Sequence, residues 1–147
     1  MEQRFDVAKL APAGYQAMYG VHTYVQKSGL DHGLLEIVRL RVSQINGCAF
    51  CLAMHVPLAR KHGVSDAKIN LVAAWREAPQ FDARERAALA WAEALTVLAP
   101  GGAPDAVYAE LQAVFSAKEI ADLSFMVAEI NAWNRLMVAS RTPPQAD

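Results

Sequence analysis

Both cysteines of the chain and one of its four histidines fall within the stretch INGCAFCLAMH, residues 45–55. A thiol reacts as its thiolate, and a helix N-terminus favours that anion through unpaired N–H groups and partial positive charge. If a helix starts at the cysteines, Cys48 occupies that end and Cys51 lies about one turn on, near enough to form a disulfide with it. His55 then shares a face with Cys51, because residues four apart are neighbours on a helix. An imidazole there can take the thiol proton or stabilise the thiolate. The spacing C-x-x-C-x-x-x-H therefore offers an attacking thiol, a resolving thiol and a base on adjacent turns, an arrangement suited to reducing something and ending as a disulfide. Two other readings use the same residues. Cys48, Cys51 and His55 could bind zinc if His22, His32 or His62 supplied a fourth ligand, or report oxidation as a sensor. They could also be small core residues beside a satisfied histidine.

Glu36 is the other candidate. It sits in LLEIVRLRVS (34–43) among aliphatic residues, on the helix just before the cysteines. Its face continues through Leu40, Ser43 and Gly47 toward the cysteine end. A carboxylate so placed could orient His55 or pass protons. Alternatively it forms an ion pair with Arg39 or Arg41, or lies on a solvated face.

The elements that must position these groups read as helix after helix, without a period-2 strand. Pro12 opens a first helix to about Lys27, which stops at Ser28-Gly29. Asp31 caps a second, with Leu35, Val38, Val42 and Ile45 as its apolar stripe. Asn46-Gly47 bends the chain, and a third helix runs from about Cys48 to Gly63, where Pro57 should kink or shorten it. Ser65 caps a segment to about Glu77. Asp82 with Glu85, and later Ser116 with Glu119, are capping boxes that open helices reaching Leu98 and about Ser140. Pro100-Gly101-Gly102 is a loop, and a short helix follows Pro104. Ile120, Leu123, Val127, Ile130 and Met137 share one face of the last helix. The tail RTPPQAD should be loose. The expectation is one all-α domain over 1–147, with about six to seven helices and a core at about 15–138.

Composition narrows the function. With 147 residues, 54% hydrophobic and 20% charged, the chain has the makings of one globular core. A net charge of -1 without a basic run argues against non-specific nucleic-acid binding. No apolar stretch reaches the roughly 18 residues of a membrane span. The mixed charges of the first residues do not read as a signal peptide, so a cytoplasmic protein is expected. In a reducing compartment, a close cysteine pair points to catalysis or metal binding over a structural staple. Tyr15, Met18, Tyr19, Trp75, Trp91, Phe125 and Trp133 exceed what one small core should hide, which predicts a homo-oligomer.

Glu36, then LRVSQINGC (40–48), then Cys51 and His55 resemble the alkylhydroperoxidase AhpD-like, or carboxymuconolactone decarboxylase, family. ERAALAWAEALT (85–96) and AEINAWNR (128–135) are similar to it as well. The resemblance implies an all-helical fold assembled as trimers or hexamers, and a cysteine peroxidase using neither metal nor other cofactor. It implies that Cys51 attacks the peroxide and that Cys48 closes the disulfide and meets the reductant. It further implies that Glu36 and His55 form the proton relay. The partners it implies are a hydroperoxide substrate and a thiol or dithiol reductant, a lipoyl carrier being one candidate. AhpD proper carries a histidine directly before its second cysteine, where this chain has Phe50. The decarboxylase branch, a lyase on a small lactone acid, lacks the paired cysteines.

Overall fold

The computed structural model describes residues 1–144. Eight helices follow one another, and the described residues contain no strand. They are α1 (Val7–Leu10), α2 (Pro12–Gln26), α3 (His32–Asn46), α4 (Ala49–Lys61), α5 (Asp66–Leu71), α6 (Ala83–Thr96), α7 (Asp105–Gln112) and α8 (Ala117–Ser140); a single 3₁₀ turn, Val72–Ala74, extends α5. None of these helices is long and apolar enough to cross a membrane.

Most boundaries follow from local chemistry. The side chains of Asp31, Ser65, Asp82 and Ser116 each accept an N–H in the first turn of the helix they open, and both expected capping boxes are closed. Such caps contribute about 1 kcal/mol each. Helix α3 ends at Gly47, whose φ of 66° is the left-handed conformation that glycine adopts without steric cost. That turn lets the Cys48 N–H donate to the Ser43 carbonyl at 3.0 Å and starts α4 immediately.

Helix α3 is the centre of the fold, packing against α4, α6 and α8. Its Leu35, Val38 and Val42 join Leu123, Met126, Val127 and Ile130 of α8 and Ala88 and Trp91 of α6 in the main core. Its opposite side, through Ile37 and Leu40, meets Ala59 of α4 and Leu89 of α6 in a second. Each fully buried aliphatic side chain contributes about 1.5–3 kcal/mol. A helix enclosed on all sides has no solvent face for charge, so Glu36 and Arg39 must find partners inside.

Five expectations need correction. Pro57 does not end α4, which runs on to Lys61; Ala53 and Pro57 are both exposed, so the carbonyl that proline leaves unpaired faces water. Helix α6 stops at Thr96, and Val97 and Leu98 are exposed. Trp75 and Trp91 are buried within the chain and therefore not available to an interface. The N-terminal residues, expected outside the core, return to α8: the Arg4 N–H donates to the Ser140 carbonyl at 2.8 Å, and Val7 packs with the cysteines. The tail also begins tied, since the Thr142 N–H reaches the Met137 carbonyl at 3.1 Å. Residues 145–147 of that expected loose tail lie outside the described residues.

Candidate active site

Cys48 is the N-cap of α4, and its sulfur accepts the Cys51 N–H at 3.3 Å. The two cysteines are joined as a disulfide, with Cα atoms 5.3 Å apart. Although Cys48 occupies the helix end and was expected to meet the reductant, both residues are only 1% exposed. Val7, Phe50, Trp133 and Met137 close around them, because the N-terminal segment and the end of α8 cover this end of α4.

His55 and Glu36 are also buried, at 3% and 2% exposure, and His55 Nδ1 lies 2.7 Å from Glu36 Oε2. The other Glu36 oxygen accepts from Arg39 Nη1 at 2.8 Å. Glu36 thus meets His55 through one oxygen and forms the expected ion pair with Arg39 through the other. Arg39 in turn reaches Glu129 Oε2 of α8 at 3.4 Å, and Glu129 Oε1 lies 2.8 Å from His22 Nδ1 of α2. Trp133 Nε1 donates to the same Oε1 at 3.1 Å. Five side chains from four helices thus form one chain, buried except at His22: imidazole, carboxylate, guanidinium, carboxylate, imidazole.

Burial by itself would push the Glu36 carboxyl up, but the hydrogen bond to His55 and the charges of His55 and Arg39 outweigh it and hold Glu36 below its ordinary value. Glu129 behaves alike: burial raises it, while the His22 hydrogen bond and the Arg39 charge bring it below normal. Two carboxylates around one arginine therefore stay ionised in a site nearly closed to water.

The thiols are reached from two cavities. One, of about 330 Å³, brings Cys51, His55, His22 and Glu129 together under aromatic walls that include Tyr15 and Trp133. The other, of about 450 Å³, reaches Cys48 and is bordered by Arg4, Arg141 and Thr142. Phe50 and Met137 line both and divide them.

Beyond the cysteines, a side-chain amide cluster fixes where α3 ends. Asn46 Nδ2 donates to Asn131 Oδ1 at 3.0 Å and to Asn134 Oδ1 at 2.9 Å, and Asn134 Nδ2 donates to Ser43 Oγ at 3.0 Å. These bonds hold the Ser43–Cys48 corner against α8.

Sequence reasoning brought Cys48, Cys51, His55 and Glu36 to one place, and the structure places them at one site. It missed Arg39 as a bridge and Glu129 altogether, and read Trp133 only as an interface residue, although all three stand in segments already singled out. The available signal was Glu129 itself, a charge next to the apolar stripe of α8 in AEINAWNR. His22 was weighed only as a metal ligand; it joins this site through Glu129. His32 bonds the Gln26 carbonyl at 3.2 Å and meets His62 edge to face, and neither lines the two cavities. Among the described residues, no three His, Cys, Asp or Glu side chains group as metal ligands.

Comparisons with known proteins bear on the same residues. The sequence model of the carboxymuconolactone decarboxylase family matches residues 11–94. The uncharacterized protein YdfG of Bacillus subtilis is 34% identical over 139 residues, 95% of each chain. A crystal structure of a protein of unknown function from Agrobacterium tumefaciens, provisionally named an AhpD antioxidant defence protein, superposes with a TM-score of 0.95. It is 41% identical, and the match covers 99% of this chain and 100% of that one. An uncharacterized peroxidase-related protein from Ralstonia eutropha, with an AhpD core, has a TM-score of 0.83 at 21% identity, over 95% of this chain and 74% of that one, and shares the fold. From the family match over most of the helices that carry the disulfide and its charged neighbours, and from these relatives along the whole chain, it follows that this chain belongs to the carboxymuconolactone decarboxylase family, in its AhpD-like form.

Proposed function

We propose that the protein is a thiol-dependent peroxidase, acting as a single domain on a hydroperoxide through Cys51, with Cys48 as the resolving thiol. The observation that carries this reading is the redox pair itself: a disulfide between the N-cap and first turn of a helix, its second cysteine sharing a cavity with an imidazole held by a buried carboxylate. His55 takes the Cys51 proton, and Glu36 orients the ring and balances the imidazolium. The thiolate attacks the outer peroxide oxygen; the S–O bond forms as the O–O bond breaks, leaving a sulfenic acid and an alcohol. Cys48, whose thiolate the Cys51 N–H and the helix end stabilise, attacks that sulfur and releases water. Two electrons from a thiol or dithiol donor, approaching Cys48 through the second cavity, restore both thiols. A reducing compartment such as the cytoplasm supplies such donors. The cavity at Cys51 is lined by Tyr15, Met54 and Trp133, which supports an organic hydroperoxide as substrate.

One equivalent of peroxide added to reduced protein should lower free thiol from two per chain to none, without links between chains. Cys51→Ser should leave Cys48 reduced, and Cys48→Ser should accumulate a sulfenic acid on Cys51, detectable by dimedone labelling. His55→Ala and Glu36→Gln should slow Cys51 oxidation by about 10²-fold or more at neutral pH and less at alkaline pH, where the thiolate forms unaided. Attack through Cys48, or persistent free thiols, would overturn the assignment.

We also propose a homo-oligomer, trimeric or hexameric. Tyr19, Tyr24 and Phe125 are 47%, 48% and 54% exposed, and Tyr24 and Phe125 meet edge to face. A monomeric mass by light scattering at micromolar concentration rules this out.

A further inference from the structure

We propose that His22 is a second proton-transfer residue of this site: the general acid that protonates the oxygen leaving as Cys51 attacks. The inference rests on the peroxidase reading above. It starts from the near-mirror arrangement about Arg39. His55 and His22 each hold Nδ1 against a buried glutamate, at 2.7 and 2.8 Å, and both glutamates share the one guanidinium. Each imidazole is thus oriented by a carboxylate, and both rings line the cavity that reaches Cys51.

The two ends differ in access to water. The His55 side chain is 4% exposed, whereas that of His22 is 26% exposed. A group that gives a proton in every turnover must regain it, and His22 can do so from solvent. Its second nitrogen lies 3.4 Å from the Gln26 amide. That amide carries a donor and an acceptor that exchange by a flip, so it can serve the ring before and after proton transfer. Glu129, fixed by Arg39 and Trp133, is the positioning residue, balancing the imidazolium.

Attack by the Cys51 thiolate on ROOH forms the S–OH bond and expels RO⁻, a strongly basic alkoxide. His22 supplies its proton, giving ROH and a neutral imidazole that solvent reprotonates. His55, having taken the thiol proton, acts on the nucleophile, and the two imidazoles divide the work.

The test compares leaving groups. Reduced protein is mixed with tert-butyl hydroperoxide, whose alkoxide needs a proton to leave, or with peracetic acid, whose carboxylate does not. Cys51 alkylation by iodoacetamide is followed in the Cys48→Ser background. His22→Gln should slow tert-butyl hydroperoxide reduction by about 10-fold or more, yet leave peracetic acid reduction and alkylation within about twofold. Glu129→Gln should show the same pattern more weakly, and His55→Ala should slow all three reactions. His22→Asn, which keeps a polar partner for Glu129, guards against a folding defect and should match His22→Gln. Equal losses with both oxidants, or no loss with either, overturn the role of His22 while leaving the peroxidase intact. Wild-type protein inert to both oxidants overturns the peroxidase reading, and with it this one.

Discussion

The two arms that meet at Arg39 use the same chemical parts in different surroundings. The Glu36–His55 arm joins α3 to α4 and is sealed by the core; the Glu129–His22 arm joins α8 to α2 and opens toward solvent. In the proposed mechanism, the buried first arm serves the thiol. Exposure suits the second arm to exchange. Each imidazole, together with the shared Arg39, keeps its carboxylate charged inside one small domain, and Arg39 is the group through which the two arms can be coupled.

The harshest way to break the comparison is Arg39→Met, which leaves two buried carboxylates without their shared cation. Removing one partner of a buried ion network costs about 3–5 kcal/mol. At about 2–4 °C per kcal/mol for a domain near this size, the melting temperature should fall by about 10 °C. An unchanged thermal transition means that the arms do not depend on one another. Next comes acid. Both glutamates have values held below their ordinary 4.5, so the native state binds fewer protons than the unfolded state in that range. The stability this contributes is complete above pH 4.5 and is lost as pH falls through the depressed values of the folded state. Denaturant midpoints measured from pH 6 down to 3 should decline in wild type, and the decline should be shallower in Glu36→Gln. A parallel decline in both sharpens the case for other carboxylates. Smallest is a control outside the site: Arg60 and Asp66 pair at 2.7 Å but are 57% and 68% exposed. Asp66→Ala should change stability by no more than about 0.5 kcal/mol in chemical denaturation; a larger loss would show that ion pairs here matter regardless of burial.

Much of this was legible before the structure. Caps, breakers and apolar spacing located the long helices, because those signals act within a few residues. The short α1 was invisible for the converse reason: four residues carry no period, and Val7 is ordered by α2 and α8 packing around it. In the site, Cys48, Cys51 and His55 were readable because one helix sets their spacing. Glu36 could be suspected from a charge among aliphatic neighbours. Glu129 and His22 lie 107 residues apart in sequence, and no local pattern reports a partner at that distance. The burial of Cys48 was missed for the same reason, since the residues that cover it come from both ends of the chain.

The position of the disulfide has a consequence for folding. It closes a loop spanning a separation of three residues, within the first turn of a single helix. On the chain-entropy view so short a loop restricts the unfolded chain by only about 2 kcal/mol, against about 5 kcal/mol for a loop of 100 residues. No distant segments are stapled together, so making and breaking this bond leaves the topology of the unfolded ensemble nearly as it was.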